Sequence, residues 1–153
     1  MRIVEDTLEE PIDDVLDLPL FCFLSTVSAD GDPRVSPLWF LWEDERMWML
    51  GDIEKTYTSR VQSHPTTAIA VMDFNAIDAR VRHIGMRGES GLVEIDDGRV
   101  ERKLTKYLGE NSDAWDPMFS DIDPKRWKFI KFTPDTVVAR DQSYMSSIGG
   151  GVN

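Results

Sequence analysis

The sequence predicts a mostly β, α+β fold, an antiparallel barrel of six or seven strands carrying short helical insertions. Short apolar runs rich in β-branched and aromatic residues recur with turn residues between them. One segment, from Asp97 to Leu108, sustains a helical period. No regular strand-helix alternation of the kind that builds a parallel sheet runs through the chain.

The chain has 153 residues, enough for one domain with a real core. That domain is expected over residues 1–140, with 141–153, which end in Gly149-Gly150-Gly151 and carry no period, as a loose tail. Hydrophobic residues make up 41%, and no apolar run reaches membrane-spanning length. Met1 to Glu10 is acidic rather than basic-then-apolar, so no export signal is read and a cytoplasmic location is expected. The lone Cys22 excludes an intrachain disulfide. A net charge of −11 argues against nucleic acid or an anionic membrane as partner, so an anionic ligand needs a local basic pocket. The acidity itself reads as solubility or as adaptation to salt.

In chain order, Pro11 to Leu16 reads as a short helix with Pro at its first position and Ile12, Val15 and Leu16 on one face, lying over a barrel end. Leu20 to Val27 is nearly continuous apolar, a strand buried on both faces or covered by a partner. Ala29-Asp30-Gly31-Asp32 is a hairpin turn into the strand Pro33 to Trp42, which Glu43-Asp44-Glu45 separates from Met47 to Leu50. Beyond Gly51, the residues Ile53, Tyr57 and Val61 recur at helical spacing, with Asp52 as N-cap and Pro65 past the end. Thr66 to Phe74 and Arg80 to Ile95 are strands. The glycines Gly85, Gly88 and Gly91 in the second predict bulges or close backbone approach. Asp97 caps the strong helix, whose face is Val100, Leu104, Tyr107 and Leu108, and Gly109 ends it. Asn111 to Asp123 is a loop, and Trp127–Phe132 and Thr136–Arg140 are the last strands, flanking Pro134.

The segment Pro33 to Pro65 reads as a cofactor platform. Lys55 falls in the first turn of a helix, against the dipole, by a few tenths of a kcal/mol. An anion held over Lys55, the helix N-terminus and the hydroxyls of Thr56 and Thr58 would compensate, since free N–H groups there favour phosphate. The alternative is a solvated lysine beside Glu54. Other chemistries lack their parts. There is no Gly-x-Ser-x-Gly elbow, no Walker loop and no dinucleotide fingerprint. His64, His83 and Cys22 are too scattered for a zinc site, so no metal is expected, and no catalytic residue is assigned.

From Phe21 to Pro134 the order of elements resembles the pyridoxamine 5′-phosphate oxidase-like flavin-binding split barrels. The likeness rests on Gly31-Asp32-Pro33, on Gly51 to Tyr57, on Val61 to Pro65, on Arg82-His83, and on the ending Trp127-Lys128-Phe129-Ile130-Lys131-Phe132-Thr133-Pro134. It implies a split β-barrel with flavin mononucleotide (FMN) in each of two clefts of a homodimer, and hydride transfer between the flavin and a small-molecule substrate. It implies cofactor contacts from Ser36, Pro37 and Leu38 along the ring, from Gly51, Lys55 and Thr56 at the phosphate with Arg60 as a second cation, and from His83 near the ring. Where the family has Ser-Arg-Lys at the phosphate, this chain has Lys55-Thr56-Tyr57. The substrate half of true pyridoxamine phosphate oxidases is missing, so vitamin B6 oxidation is not expected. The alternatives are a deazaflavin-dependent reductase or a non-enzymatic barrel for haem, another tetrapyrrole or a small ligand.

Several residues read two ways. His83 either hydrogen-bonds the ring or is a satisfied strand histidine. Trp39, Trp42 and Trp48 are core or dimer-interface aromatics. Trp115 and Phe119 either close a substrate pocket or cover the end of the strong helix.

Overall fold

A computed structural model describes residues 1–148; the glycines and final residues of the expected tail lie outside the described residues. Eight strands alternate with three helices: β1 (Arg2–Asp6), α1 (Ile12–Leu16), β2 (Cys22–Val27), β3 (Pro33–Leu38), β4 (Leu41–Glu43), β5 (Arg46–Asp52), α2 (Thr56–Ser63), β6 (Thr66–Asn75), β7 (Arg80–Val93), α3 (Asp97–Leu108) and β8 (Trp127–Asp141). Single turns of 3-10 helix at Ser112–Ala114 and Pro117–Phe119 lie before β8.

The strands form one sheet in the order β3-β2-β6-β7-β8-β5-β4, antiparallel throughout, with β1 added parallel to β8. Its two ends, β3 and β4, are joined by Trp39 and Phe40 alone, so the sheet has to curl round on itself. Among the described residues no ladder joins those ends, and the barrel is split. Period-two alternation sends Leu24, Ile69, Val71, Ile84, Met86 and Val137 inward, where they meet Ile12, Val15 and Leu16 of α1. Tyr57 and Val61 of α2 join the same core. No helix among the described residues is long and apolar enough to cross a membrane.

The strand count exceeds the expected six or seven because of β1, whose Ile3 and Val4 are exposed and whose acidic surroundings carry no strand signal. The two expected last strands are one. Gly88 pairs with Pro134 and Arg87 with Thr136, so the register of β7 on β8 shifts there, and the bulge at Asp135 lies next to the proline that has no N–H to donate.

Conversely, Pro33 to Trp42 is two strands. Trp39-Phe40 leaves β2 and passes to β5, and its backbone is held from α3: the Phe40 N–H donates to Tyr107 Oη (3.0 Å), and Lys106 Nζ donates to Phe40 O (3.1 Å). β2 is buried on one face only. Cys22, Leu24 and Thr26 are inside, while Phe23 is 41% exposed, which matches the expectation of a covered strand only if something covers that face.

The helix expected from Asp52 starts at Thr56 instead. The Asp52 N–H donates to Tyr57 Oη (3.1 Å), which keeps Asp52 in β5, and its buried carboxylate accepts from the Glu54 N–H and pairs with Arg126 (2.7 Å). Ile53 is therefore outside the helix and 47% exposed, and Lys55 is the N-cap rather than a first-turn residue. α3 has the expected span, with Asp96 rather than Asp97 as its cap, accepting from the Arg99 N–H (2.8 Å).

Candidate functional site: two clefts and an apolar cavity around the open edge

α2 presents a basic, hydroxyl-lined cleft. Thr56, Ser59, Arg60, Ser63 and His64 line it, facing Ser28 and Arg34 of the β2–β3 hairpin across a volume of about 420 Å³. Arg60 Nε donates to Thr26 Oγ1 (2.8 Å), which fixes the guanidinium against the end of β2. Lys55 stands exposed at the cap, and no side chain caps the first-turn N–H groups of α2.

The charge pattern is informative. Arg34, Arg80, Arg82, Arg99, Arg102, Arg126, Lys128 and Arg140 form ion pairs with this acidic chain's carboxylates, and Lys55 and Arg60 are among the cations that form none among the described residues. Cations left unpaired beside free helix N–H groups and hydroxyls suit an anion. Gly51 is buried beside Thr58 of α2. A Cβ there would come within 3.0 Å of Ile130 and 3.1 Å of Thr58, so its small size lets α2 pack on β5 and sets the height of the cap.

An apolar cavity of about 300 Å³ opens beside the free edge of β3. Pro37 and Leu38 of β3 line it together with Leu50, Tyr57, Trp39, Leu104, Phe119 and Trp127, and Lys103 and Asp121 are the charged residues on the lining. Trp39 is clamped between Tyr107 (ring centroids 4.5 Å apart) and Phe119 (5.7 Å), both stacked. Phe119 thus closes a pocket, while Trp115 covers the helix end, its Nε1 donating to Gly109 O (2.9 Å). Ser36 pairs with Leu24 on the same edge strand and is half-buried.

Behind this cavity sits a group of buried titratable residues that the sequence pattern did not single out. Burial pushes Cys22 up to about 12 and raises Tyr107; it pushes Lys103 and Lys106 down to about 8. Lys106 donates to Leu16 O (2.7 Å) and Phe40 O, and Tyr107 Oη donates to Leu20 O (2.7 Å). Lys103 has no such carbonyl partners among the described residues and lines the apolar cavity. The signal that would have found it is a lysine one position before an apolar-face leucine on α3.

His83 is elsewhere. It stands on the outer face of β7, half-buried, with Gly85 and Arg87 on a cleft of about 530 Å³ that Val138 and Arg140 of β8 also line. On its other side the outer face is apolar and open: Phe21, Phe23, Met72 and Phe74 are 49%, 41%, 43% and 59% exposed and share a second cleft with His83. Within one chain, then, Pro37 and Leu38 meet at the cavity and Thr56 and Arg60 at the basic cleft, while His83 lies on the far side of β2 and β6.

The family model described as pyridoxamine 5′-phosphate oxidase matches residues 8–141. Among solved structures, the chain is similar to Rv2991 of Mycobacterium tuberculosis, with TM-score 0.75 and 18% identity, covering 98% of each chain. It is similar to an F420 reductase, with TM-score 0.65 and 24% identity over 85% of this chain and 98% of that one. HutZ, the heme storage protein of Vibrio cholerae, has TM-score 0.67 and 17% identity over 94% and 97%. At these identities the likeness is one of fold. No curated protein matches the chain. With the family model spanning nearly all of the split barrel, from just before α1 to the last residue of β8, the chain belongs to the pyridoxamine 5′-phosphate oxidase family.

Proposed function

We propose that this chain is a homodimeric flavin-binding oxidoreductase that holds FMN in a cleft between two copies and moves hydride between the flavin and a small molecule other than vitamin B6. The observation that carries the reading is the unpaired pair of cations, Lys55 and Arg60, beside the uncapped start of α2 in a chain of net charge −11. When bound, the flavin supplies the hydride chemistry. The chain's own residues bind and orient. Lys55, Thr56 and Arg60 hold the phosphate, Ser36, Pro37 and Leu38 line the ring along the free edge of β3, and Gly51 keeps α2 low enough for its cap to reach the anion. Two cations suit one phosphate better than the longer anionic tail of a deazaflavin coenzyme.

The homodimer is supported by the open apolar face of Phe21, Phe23, Met72 and Phe74. A second copy seated there buries that face and brings its own outer cleft toward this copy's β3 edge, which supplies the partner His83 to a ring that one chain alone could not reach. A second reading, tetrapyrrole binding, is favoured by His83 itself, an imidazole on a cleft edged by Arg2 and Arg87 that would suit an iron ligand with acidic substituents nearby.

Replacing Lys55 by Ala separates the two. The Lys55 side chain makes no hydrogen bond or ion pair among the described residues, so stability should change by less than about 0.5 kcal/mol. FMN affinity, measured by equilibrium titration, is expected to fall about ten- to a hundredfold, the loss of one charge-assisted contact. Arg60→Ala should act in the same direction. Unchanged FMN affinity in both variants refutes the assignment.

A further inference from the structure

Lys103 and Lys106 are neighbours on one face of α3, and burial treats them alike, yet their surroundings differ. Lys106 is anchored to two carbonyls. Lys103 is only 4% exposed, and among the described residues its ammonium meets no hydrogen-bond acceptor and no carboxylate. Its one compensating contact is the Trp39 ring, whose centroid is 5.6 Å from Nζ. The Nζ atom is not sealed in the core but open to a mostly apolar cavity, where a cation without a counter-charge is costly. The side chain lines the apolar cavity beside β3.

We propose that this cavity binds the substrate as a flat, conjugated monoanion, with its carboxylate on Lys103 and its unsaturated body against Trp39 and Phe119. The anion seat stands on the geometry of Lys103 alone; that its occupant is the substrate rests on the flavin reading, because Pro37 and Leu38 are shared between the cavity wall and the edge assigned to the ring. About 300 Å³ is the lower end of ligand-pocket size and admits one or two rings. The walls are aromatic and aliphatic, and Asp121 is the one carboxylate on the lining, which disfavours a dianion. Cys22 lies close to Lys103 and remains a neutral thiol, so it does not serve as the counter-charge.

The probes are trans-cinnamate and its neutral isostere cinnamamide, measured by calorimetry on the full chain. Cinnamate is expected to bind at least about tenfold more tightly than the amide, one charge-assisted contact in a dry site. Lys103→Met should reduce cinnamate to the affinity of the amide while leaving the amide unchanged. In the wild-type protein, the NMR titration of the Lys103 Cε signal should move up from about 8 when cinnamate is bound, a readout that needs no variant. Equal affinity for acid and amide, a preference that survives Lys103→Met, or a Lys103 titration indifferent to cinnamate overturns the proposal. Cinnamate preference in a protein that does not bind FMN would leave the anion seat standing and remove the substrate assignment. FMN binding without cinnamate preference would remove the anion seat, and the substrate assignment with it, and leave the flavin reading standing.

Discussion

Replacing Asp73 by Ala is expected to lower the stability of the fold by about 3–5 kcal/mol, the range for breaking a buried ion pair from one side. Asp73 follows Ile69 and Val71 on the core face of β6 and is 4% exposed. Its Oδ2 accepts from Arg80 Nε (2.8 Å) and Arg82 Nε (2.9 Å), and Arg82 Nη2 closes on the same oxygen. Arg82 also pairs with Glu10, so the cluster ties β6, β7 and the segment before α1 across one end of the barrel. Removing the carboxylate leaves an arginine whose side chain is 12% exposed with half its compensation gone. Urea unfolding should show a lower midpoint at unchanged slope. The contrast is Glu5→Ala. Its pair with Arg140 is 40–43% exposed at the side chains, and its loss should leave the urea midpoint nearly unchanged. Equal effects from the two substitutions would contradict this account of the barrel end.

Gly88→Ala should be the most damaging single methyl in the sheet. A Cβ at Gly88 would lie 2.0 Å from the Thr133 carbonyl oxygen and 2.9 Å from Pro134 Cα, both backbone. The neighbours cannot turn aside as a side chain would, because β7 and β8 are locked together on either side of the bulge. The expected loss is at or above the upper end of the roughly 1–3 kcal/mol typical of overpacking. Gly91→Ala, three residues along the same strand, meets nothing within 4 Å and should be neutral or stabilising by about 0.5 kcal/mol. Thermal unfolding of the two variants side by side checks the pair, and similar melting temperatures would sink it.

Much of this architecture is legible in the chain because local and global preferences agree. The apolar period of α3 coincides with its observed span, Gly31 takes a positive φ in the expected hairpin turn, and Gly88 marks a bulge and a close approach, two of the uses its place in a strand predicts. What was hidden is tertiary. β1 is fixed by pairing with a strand more than a hundred residues away, a contact no local pattern reports. The corner at Trp39-Phe40 exists because Lys106 and Tyr107 hydrogen-bond its backbone, and Asp52 leaves the helix because Tyr57 and Arg126 hold it in β5.

The same holds for the site. Pro37 and Leu38, and separately Thr56 and Arg60, could be grouped from sequence because each pair sits within one element or its start. That His83 faces away from them follows only from the order of strands in the sheet, and Lys103 reads as an ordinary surface lysine until the aromatic loop folds over it.

The central claim is that one phosphate is seated at the start of α2 and that two copies of the chain enclose what is attached to it. Sedimentation velocity that follows the visible absorbance of the flavin tests both halves at once. With FMN, the colour should travel with a species of twice the chain's mass, while riboflavin, identical but for the phosphate, should stay at the rate of the free molecule at the same concentration. Riboflavin carried as well as FMN, or FMN travelling free or with a single copy, would contradict the account.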